Sequence, residues 1–501
     1  MAAAPLRHLR LAALAAAALT AVSYDNGSGW RLPVMGWNSW CTDDFCGLLD
    51  LCFEAEIHEI ADAMNASGMV AAGYRLLEVR EAAGRGRECA RTMSNKRARA
   101  CARARARAMA FARAELALAL SHAAIAPRLS RATTSRTRAR ASQLDDCESA
   151  EATTATRPAN HPNHLSPRSA PTHPSGWAST NRSAAGTLQA DPARFPSGIP
   201  ALVEYVESRG LVLGLYTSAG DTTCKYNRPG SQGNFDVDAQ WFARNGVKLV
   251  KADNCGVSGD SRTVFSNFSR FLNETGVPIA FSTCQWGEDS VWQWGAGIAQ
   301  MFRINQDHLP FWSFNLTNGG QGTKEIIEVM ADPRVGGSTV PFGFADADFL
   351  MTGIASMTQT ESETEFAFWA LFATPLIVAT DVRNMSAWKA SVLLNADVIA
   401  VSQDALVQPG RRVRGAAGGA QVWSRALANG DLAVILYNAG DAAPVDIPVT
   451  WRELGWDAGT TAAARDLWSH APVPGSPFVG GATAAAVPPH GHAMWRLSQV
   501  Q

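Results

Sequence analysis

The chain has 501 residues, of which 47% are hydrophobic and 18% are charged, a composition typical of a globular protein with more than one domain. Its formal net charge is −1, but residues 79–143 hold fifteen arginines and one lysine against three glutamates, so the remainder is acidic, near −14. An acidic remainder excludes a protein whose whole surface binds a polyanion.

The first 23 residues have the pattern of a secretory signal peptide. Arg7, His8 and Arg10 precede an apolar run over 11–22, and small residues surround Ser23. The run is short for a membrane-spanning helix, and an ordinary buried first helix is the alternative. We therefore expect a secreted protein, or one of a lysosomal or vacuolar compartment, whose nine cysteines can oxidise. Seven Asn-x-Ser/Thr sequons indicate a glycoprotein: Asn26, Asn65, Asn181, Asn267, Asn273, Asn315 and Asn384.

From Pro33 onward, helical patterns that end in glycine alternate with short apolar strands such as LVLGLYTSAG and VKLVKADNC. Such units predict a parallel sheet, and polar residues crowd the carboxyl ends of its strands, where a (β/α)8 barrel has its active face. A doubly wound open sheet is the alternative, but the glycine-rich phosphate turn expected after its first strand is absent. We predict a (β/α)8 TIM barrel over 24–407. Short alternating runs over 408–501 predict an antiparallel β-sandwich domain.

Two strand ends carry candidate catalytic carboxylates. Asp253 ends VKLVKADNC, and Lys251, on the same side of the strand, would keep the carboxylate ionised, as a nucleophile requires. Arg303 and Asp307 in FRINQDH form the second end. Two carboxylates on neighbouring strands are what glycosidic cleavage needs, one to attack and one to protonate the leaving oxygen. The alternative is that these aspartates only cap the following helices.

Other residues indicate a sugar site rather than a metal site. Asp145 and Asp146, beside Cys147, form a vicinal pair that suits sugar hydroxyls better than acid–base chemistry. No His/Asp cluster has ligand spacing, so we expect neither a metal nor a cofactor. Five tryptophans lie at or after strand ends, where they can stack on a sugar ring or, for at least two of them, pack in the core: Trp37, Trp40, Trp286, Trp292 and Trp294.

The ordered motifs MGWNSW, LDDC, FPSGI, KADNC, CQWG, RINQD and FWALFATPLIVATDVRNMS resemble glycoside hydrolase family 27, which includes eukaryotic α-galactosidases and α-N-acetylgalactosaminidases. The resemblance covers roughly 33–406, apart from two interruptions, and the C-terminal domain agrees with it. It implies a (β/α)8 barrel followed by an antiparallel β domain. It also implies hydrolysis of terminal α-linked galactose with retention of configuration. An α-N-acetylgalactosaminidase or a β-L-arabinopyranosidase is the alternative within the family.

The resemblance also implies roles for individual residues. Asp253 resembles the nucleophile and Asp307 the general acid/base. Eight positions resemble sugar-contacting residues: Trp40, Asp145, Asp146, Lys251, Cys284, Trp286, Arg303 and Asp348. Cysteine positions imply the disulfides Cys46–Cys147 and Cys224–Cys255, with Cys41–Cys52 as a further local bridge and Cys284 as a free pocket cysteine. Bulky Trp286 and Cys284 resemble the galactosidases, whereas Ala252, Gln285 and the sequence ADADF around Asp348 depart from the usual pattern, which leaves fine specificity open.

The two interruptions are 79–143 and 148–176. Their removal joins GYRLLE to LDDC and DDC to WASTNRS, which restores the spacing of the family. Codons for Val79 and Gln143 can supply the first and last letters of an intron, and Cys-Glu-Ser and Ser-Gly can do the same for the second segment. We interpret both segments as introns translated in frame; genuine disordered insertions are the alternative. We expect no function for the Arg/Ala-rich stretch.

The expected partner is an α-galactoside, with no nucleic acid and no membrane after signal removal; a homodimer is left open. Two alternative hypotheses describe a protein that is not an enzyme: a non-catalytic sugar-binding protein, and a protein that binds nucleic acid through the arginine block. The presence of both carboxylates argues against the first. The lack of aromatics between the arginines argues against the second.

Overall fold

The computed structural model describes residues 24–40, 53–80, 176–224, 227–316 and 320–500. Several predictions fall outside these ranges. They are the signal peptide, the pair Asp145 and Asp146, the cysteines Cys41, Cys46, Cys52 and Cys147, and all but three residues of the two predicted inserts.

Eight short strands form one parallel sheet. Their bounds are β1 Met35–Asn38, β2 Leu76–Val79, β3 Val212–Ser218, β4 Leu249–Asp253, β5 Ala280–Cys284, β6 Met301–Arg303, β7 Phe344–Asp346 and β8 Leu376–Val378. Every barrel strand from β4 to β8 is fully buried, as expected when helices cover the outer face of a parallel sheet.

The sheet is closed into a barrel. Its strands are ordered β8-β1-β2-β3-β4-β5-β6-β7. Leu350, just after β7, pairs in parallel with Val378 of β8. The Leu350 N–H donates to the carbonyl of Ile377 (2.8 Å), and the Ala379 N–H donates to the carbonyl of Leu350 (3.0 Å). Because the last strand returns to the first through β8, the predicted (β/α)8 barrel is confirmed and the open doubly wound sheet is excluded.

Within the described ranges, eight α-helices accompany these strands. Their bounds are α1 Glu54–Ala66, α2 Gly198–Glu207, α3 Phe235–Arg244, α4 Ser261–Glu274, α5 Thr323–Met330, α6 Gln359–Phe372, α7 Ala387–Leu393 and α8 Ala396–Ser402. The helix α4 illustrates their chemistry: Asp260 caps it by accepting from the Thr263 N–H, and Phe265, Phe268 and Leu272 bury one face. Among the described residues, no helix combines the length and the apolar character needed to cross a membrane.

The helix α6 is buried almost throughout. It begins with a capping box in which Thr358 and Glu361 satisfy each other's backbone N–H groups. Its far side contacts the C-terminal domain: Phe368 meets the rings of Trp423 and Tyr437 edge-on at 5.2 and 5.1 Å. With the barrel on one side and these aromatics on the other, α6 needs no polar face.

The C-terminal region is antiparallel, which confirms the predicted β-sandwich. Its strands are β9 Arg411–Arg414, β10 Ala420–Ala426, β11 Leu432–Asn438, β12 Val445–Thr450, β13 Thr461–Asp466, β14 Ala471–Pro472, β15 Phe478–Val479, β16 Gly481–Val487 and β17 His492–Gln499. The larger sheet runs β9-β10-β11-β17-β13-β14, with β15 also paired to β13, and β12 pairs with β16. Val434, Leu436, Val449, Trp451 and Leu497 form the core between them.

Candidate active site

The register of the barrel brings polar side chains to one face. Asp253 at the end of β4 is level with Ser218 of β3 and Cys284 of β5, and Arg303 of β6 is level with Asp346 of β7. Because parallel strands end at the same rim, residues far apart in sequence come together there. Asp253 and Asp307 were predicted to follow neighbouring strands, but this is wrong, since β5 lies between β4 and β6.

Asp253 is held from three sides and is only 5% exposed. The Tyr216 hydroxyl donates to its Oδ2 at 3.0 Å, and the Asn254 N–H donates to its Oδ1 at 3.1 Å. The Arg80 Nη2 lies 3.5 Å from Oδ2. These contacts leave the carboxylate a single orientation at the barrel rim.

Lys251 precedes Asp253 on the same face of β4 and is 1% exposed. Its ammonium lies 4.4 Å from the ring of Phe349, and among the described residues its Nζ has no hydrogen-bond partner. Burial raises the pKa of nearby Asp346, although the charges of Lys251 and Arg303 oppose this. A buried ammonium without an acceptor is a donor available to a bound ligand.

Arg303 joins two carboxylates. Its Nη2 lies 2.6 Å from Oδ1 of Asp307 and 2.7 Å from Oδ2 of Asp348. Its Nη1 lies 3.5 Å from Sγ of Cys284. The side chains of Arg303 and Asp348 are buried, whereas that of Asp307 is 42% exposed. Burial raises the pKa of Asp348, but the positive charges of Arg303 and Lys251 outweigh it, so the net shift is downward.

The backbone around Asp348 is fixed by further contacts. The His308 N–H donates to Oδ2 of Asp348 at 2.8 Å, and the Trp369 indole N–H donates to the Asp348 carbonyl at 2.7 Å. Asp348 itself has a positive φ of 78°. The His308 ring is buried between the Phe349 carbonyl and the Thr323 hydroxyl, and burial lowers its pKa to about 4. The His308 ring is therefore neutral and contributes hydrogen bonds rather than a charge.

The five strand-end tryptophans divide into two groups. Trp37 and Trp294 are buried in the barrel core. Trp40, Trp286 and Trp292 are half-buried, and Trp40 and Trp292 also pack against that core. Trp286 has a positive φ of 57° and is followed by Gly287, where a Cβ would lie 2.3 Å from the Ile304 carbonyl oxygen. That close approach explains the glycine of CQWG.

The cysteine predictions have two outcomes. Cys224 and Cys255 form a disulfide with an S–S distance of 2.11 Å, which joins the segment after β3 to the segment after β4. Cys284 is a free, buried thiol, and burial raises its pKa. The bridges predicted for Cys46 with Cys147 and for Cys41 with Cys52 lie outside the described residues, as do the sugar ligands Asp145 and Asp146.

Sequence reasoning missed three residues of this site. Tyr216 is level with Lys251 in the adjacent strand, so the alternation that selected Lys251 also indicates Tyr216. Asp346, two residues before Asp348, accepts the Asp348 N–H at 2.8 Å. Arg80 belongs to the predicted first insert. In the structure Val79 is the last residue of β2, paired with Leu215, and Arg80 is buried beside it.

Comparisons with known proteins agree with this geometry. A family profile described as alpha galactosidase A matches residues 173–404, and one described as the alpha galactosidase C-terminal beta sandwich domain matches 417–497. An α-galactosidase of Cyamopsis tetragonoloba is 34% identical over 325 residues, 64% of this chain and 75% of the relative. An α-galactosidase of Coffea arabica is 35% identical over 323 residues, 64% of this chain and 82% of the relative.

A solved structure extends the likeness over nearly the whole chain. The crystal structure of α-galactosidase I from Mortierella vinacea superposes with a TM-score of 0.69 at 26% identity, covering 95% of this chain and 98% of that one. The ordered motifs, the closed barrel with its β-sandwich and these matches have one explanation: the chain belongs to glycoside hydrolase family 27, the α-galactosidase (melibiase) family.

Proposed function

We propose that the protein is a retaining α-galactosidase that removes terminal α-linked galactose from oligosaccharides or glycoconjugates. The observation that carries this proposal is the placement of Asp253 and Asp307 at one rim of the barrel, each bound to a different set of donors. Membership of a family whose matched relatives are named α-galactosidases supports it.

The two carboxylates would divide the reaction between them. Asp253 attacks the anomeric carbon while Asp307 protonates the glycosidic oxygen, which leaves as an alcohol. The galactosyl ester on Asp253 is then cleaved by a water that gives its proton to Asp307, and two inversions restore the original configuration. The exposures support this order: Asp253 is nearly buried, whereas Asp307 is open enough to meet both the leaving group and water.

The remaining residues would hold the sugar. Trp40 and Trp286 offer half-buried rings to its apolar faces, and the Lys251 ammonium offers a donor to a hydroxyl. Cys284 and Trp286 resemble the bulky residues of the galactosidases, which favours galactose over N-acetylgalactosamine. Asp348 and Arg303 contribute further polar contacts.

The test is hydrolysis of the nitrophenyl glycosides of α-galactose, α-N-acetylgalactosamine and β-L-arabinopyranose by the full chain and by a chain lacking 79–143 and 148–176. Asp253→Asn should abolish turnover, and Asp260→Asn is the control. Asp260 is an exposed helix cap, and asparagine caps a helix equally well. A folded protein that binds galactose but hydrolyses none of the three glycosides would be a sugar-binding protein and would contradict the proposal.

We also propose that the protein passes through the secretory pathway. The signal-peptide pattern of the first 23 residues supports this, as does the disulfide between Cys224 and Cys255, since such bonds persist in oxidising compartments. Endoglycosidase treatment of the expressed protein, followed by N-terminal sequencing, tests both glycosylation and signal removal.

A further inference from the structure

We propose that Arg80 occupies the sugar-binding position of this site, so that the chain binds galactose only when the guanidinium is displaced. This inference rests on the proposed function, because the occupied position is that of the galactosyl ring.

Arg80 is enclosed by the aromatic residues of the site. Its guanidinium carbon lies 4.7 Å from the ring centroid of Trp40, 4.7 Å from that of Tyr216 and 5.2 Å from that of Phe349. The Arg80 N–H donates to Oγ of Ser39 at 2.9 Å, which fixes its backbone at the rim. Because non-bonded atoms approach no closer than about 3.5 Å, a sugar ring and this guanidinium cannot share the face of Trp40.

Arg80 is also paired with the carboxylate proposed as the nucleophile. Its Nη2 lies 3.5 Å from Oδ2 of Asp253, and its Nε lies 3.8 Å from Oε1 of Glu78. An attacking oxygen must come within about 3–3.5 Å of the anomeric carbon. The guanidinium already lies at that distance from the Asp253 oxygen, so it excludes the reacting carbon from the same volume.

Displacing Arg80 is unfavourable. Burial lowers the pKa of the Arg80 guanidinium, but the charges of Glu78 and Asp253 outweigh this and raise it, so the group stays cationic. Glu78 is 0% exposed, and moving Arg80 away would take a cation 3.8 Å from this buried carboxylate out of its reach. Any ligand that needs the displaced conformation binds with an apparent affinity reduced by the small fraction of chains that adopt it.

The sequence explains how a cation came to this position. Joining Glu78 directly to Leu144 would place Asp145 two residues after Glu78, which is where the full chain has Arg80. The insert therefore exchanges, at the position that directly follows β2, an acceptor carboxylate for a guanidinium. A carboxylate accepts hydrogen bonds from sugar hydroxyls, whereas a guanidinium offers only donors.

The experiment uses the full chain and D-galactose as the ligand, with binding measured by titration calorimetry. Arg80→Gln and the double variant Glu78→Gln/Arg80→Gln should bind D-galactose about tenfold or more tightly than the unchanged chain. Arg75→Gln is the matched control. Arg75 precedes the same strand at the opposite end, is exposed and contacts the Gly210 carbonyl, so its loss should leave affinity unchanged.

The double variant removes the charge of the buried carboxylate together with that of Arg80, and it carries the test if Arg80→Gln alone misfolds. Folded variants that bind galactose no more tightly than the unchanged chain would overturn the inference. Turnover of nitrophenyl α-galactoside separates the two proposals. Tighter binding without turnover by any variant would leave Arg80 as the occupant and defeat the enzymatic function. Unchanged affinity with normal turnover would overturn the inference about Arg80 and support the enzymatic function.

Discussion

The Nη2 nitrogen of Arg303 lies 2.7 Å from Oδ2 of Asp348, and both side chains are buried. The same nitrogen lies 2.6 Å from Oδ1 of Asp307, which is exposed. Asp348 therefore fixes the guanidinium that positions the proposed acid/base. The charge on Asp348 also balances that of Arg303, which has no access to water.

Replacing Asp348 with asparagine tests this arrangement. The variant keeps the shape of the side chain but removes the charge of one of the two carboxylates paired with Arg303. Asp307 should then be misplaced, and kcat for nitrophenyl α-galactoside should fall about 10²-fold. Breaking a buried ion pair should also lower the free energy of unfolding by about 3 kcal/mol. Asp332→Asn is the control, since it removes an aspartate from an Arg–Asp pair of similar length whose arginine, Arg334, is mostly exposed. Unchanged kcat in folded Asp348→Asn would contradict the role.

The hydroxyl of Tyr216 predicts a second effect on catalysis. It donates to Oδ2 of Asp253, the oxygen that also faces Arg80. Tyr216→Phe removes one hydrogen bond to a charged group, so kcat/KM should fall about tenfold while the fold is retained. Tyr205→Phe, which removes a hydroxyl bound to Asp62 outside the site, should have no effect on kcat/KM. Equal losses in both variants would show that the effect is not specific to Asp253.

The sequence predicted most of the barrel because its signals are periodic. Side-chain alternation along β4 and the polar residue that ends β6 correctly indicated that Asp253, Lys251 and Arg303 lie at one rim. Closure of the barrel depends on the pairing of Leu350 with Val378, which no local pattern reports. Both tryptophans of MGWNSW were candidates for sugar contact, but only the packing of the folded barrel shows that Trp37 is core.

Arg80 shows why the rest of the site could not be predicted. Motif spacing and codon letters predict an insert that begins at Val79, but neither signal describes the backbone. In the folded chain β2 continues through Val79 because its backbone groups pair with β3. Arg80 then follows into the rim. Burying a guanidinium normally costs free energy. It is tolerated here because Glu78 and Asp253 lie within 4 Å of it.

Glu365 predicts a dependence of stability on pH. Its buried carboxylate accepts from the Met351 N–H and the Thr352 hydroxyl, both at 2.8 Å, and Nδ1 of His308 lies 3.9 Å away. Burial raises the pKa of Glu365 from 4.5 to about 8, although the hydrogen bonds oppose the shift. The folded state thus binds the proton more tightly than the unfolded state. The contribution of the protonated Glu365 carboxyl to the stability of the fold is complete below about pH 4.5 and is lost as the pH rises to about 8.

Glu365→Gln removes this titration. Relative to the unchanged chain, the variant should therefore become more stable as the pH rises from about 5 to about 8. Urea unfolding across this range measures the difference. Glu274→Gln, which affects an exposed pair with Arg270, should give a difference that does not change with pH. A flat difference for Glu365→Gln would mean that the buried carboxyl does not change its protonation on unfolding.

The Cys224–Cys255 disulfide predicts a loss of stability when it is removed. The two cysteines are 31 residues apart and tie together the segments that follow β3 and β4. In the loop-entropy model, a bridge of this span stabilises the folded state by about 3–4 kcal/mol. Urea unfolding of Cys224→Ser/Cys255→Ser measures this without reducing any other cysteine. Stability equal to that of the unchanged chain would show that the loops are held by their other contacts.

The inserts predict a difference between two forms of the chain. If 79–143 and 148–176 are introns, transcripts should join Glu78 to Leu144, and reads crossing Glu78–Val79 and Gln143–Leu144 as written would contradict the idea. The chain without both segments has Asp145 in place of Arg80, so its kcat/KM for nitrophenyl α-galactoside should exceed that of the full chain by about tenfold or more. Asp145→Arg and Asp145→Gln in that shorter chain are the paired controls. Both remove the carboxylate, but only Asp145→Arg returns a guanidinium to the position that follows Glu78 by two residues. A larger loss in Asp145→Arg than in Asp145→Gln is expected if the cation, rather than the length of the insert, blocks the sugar.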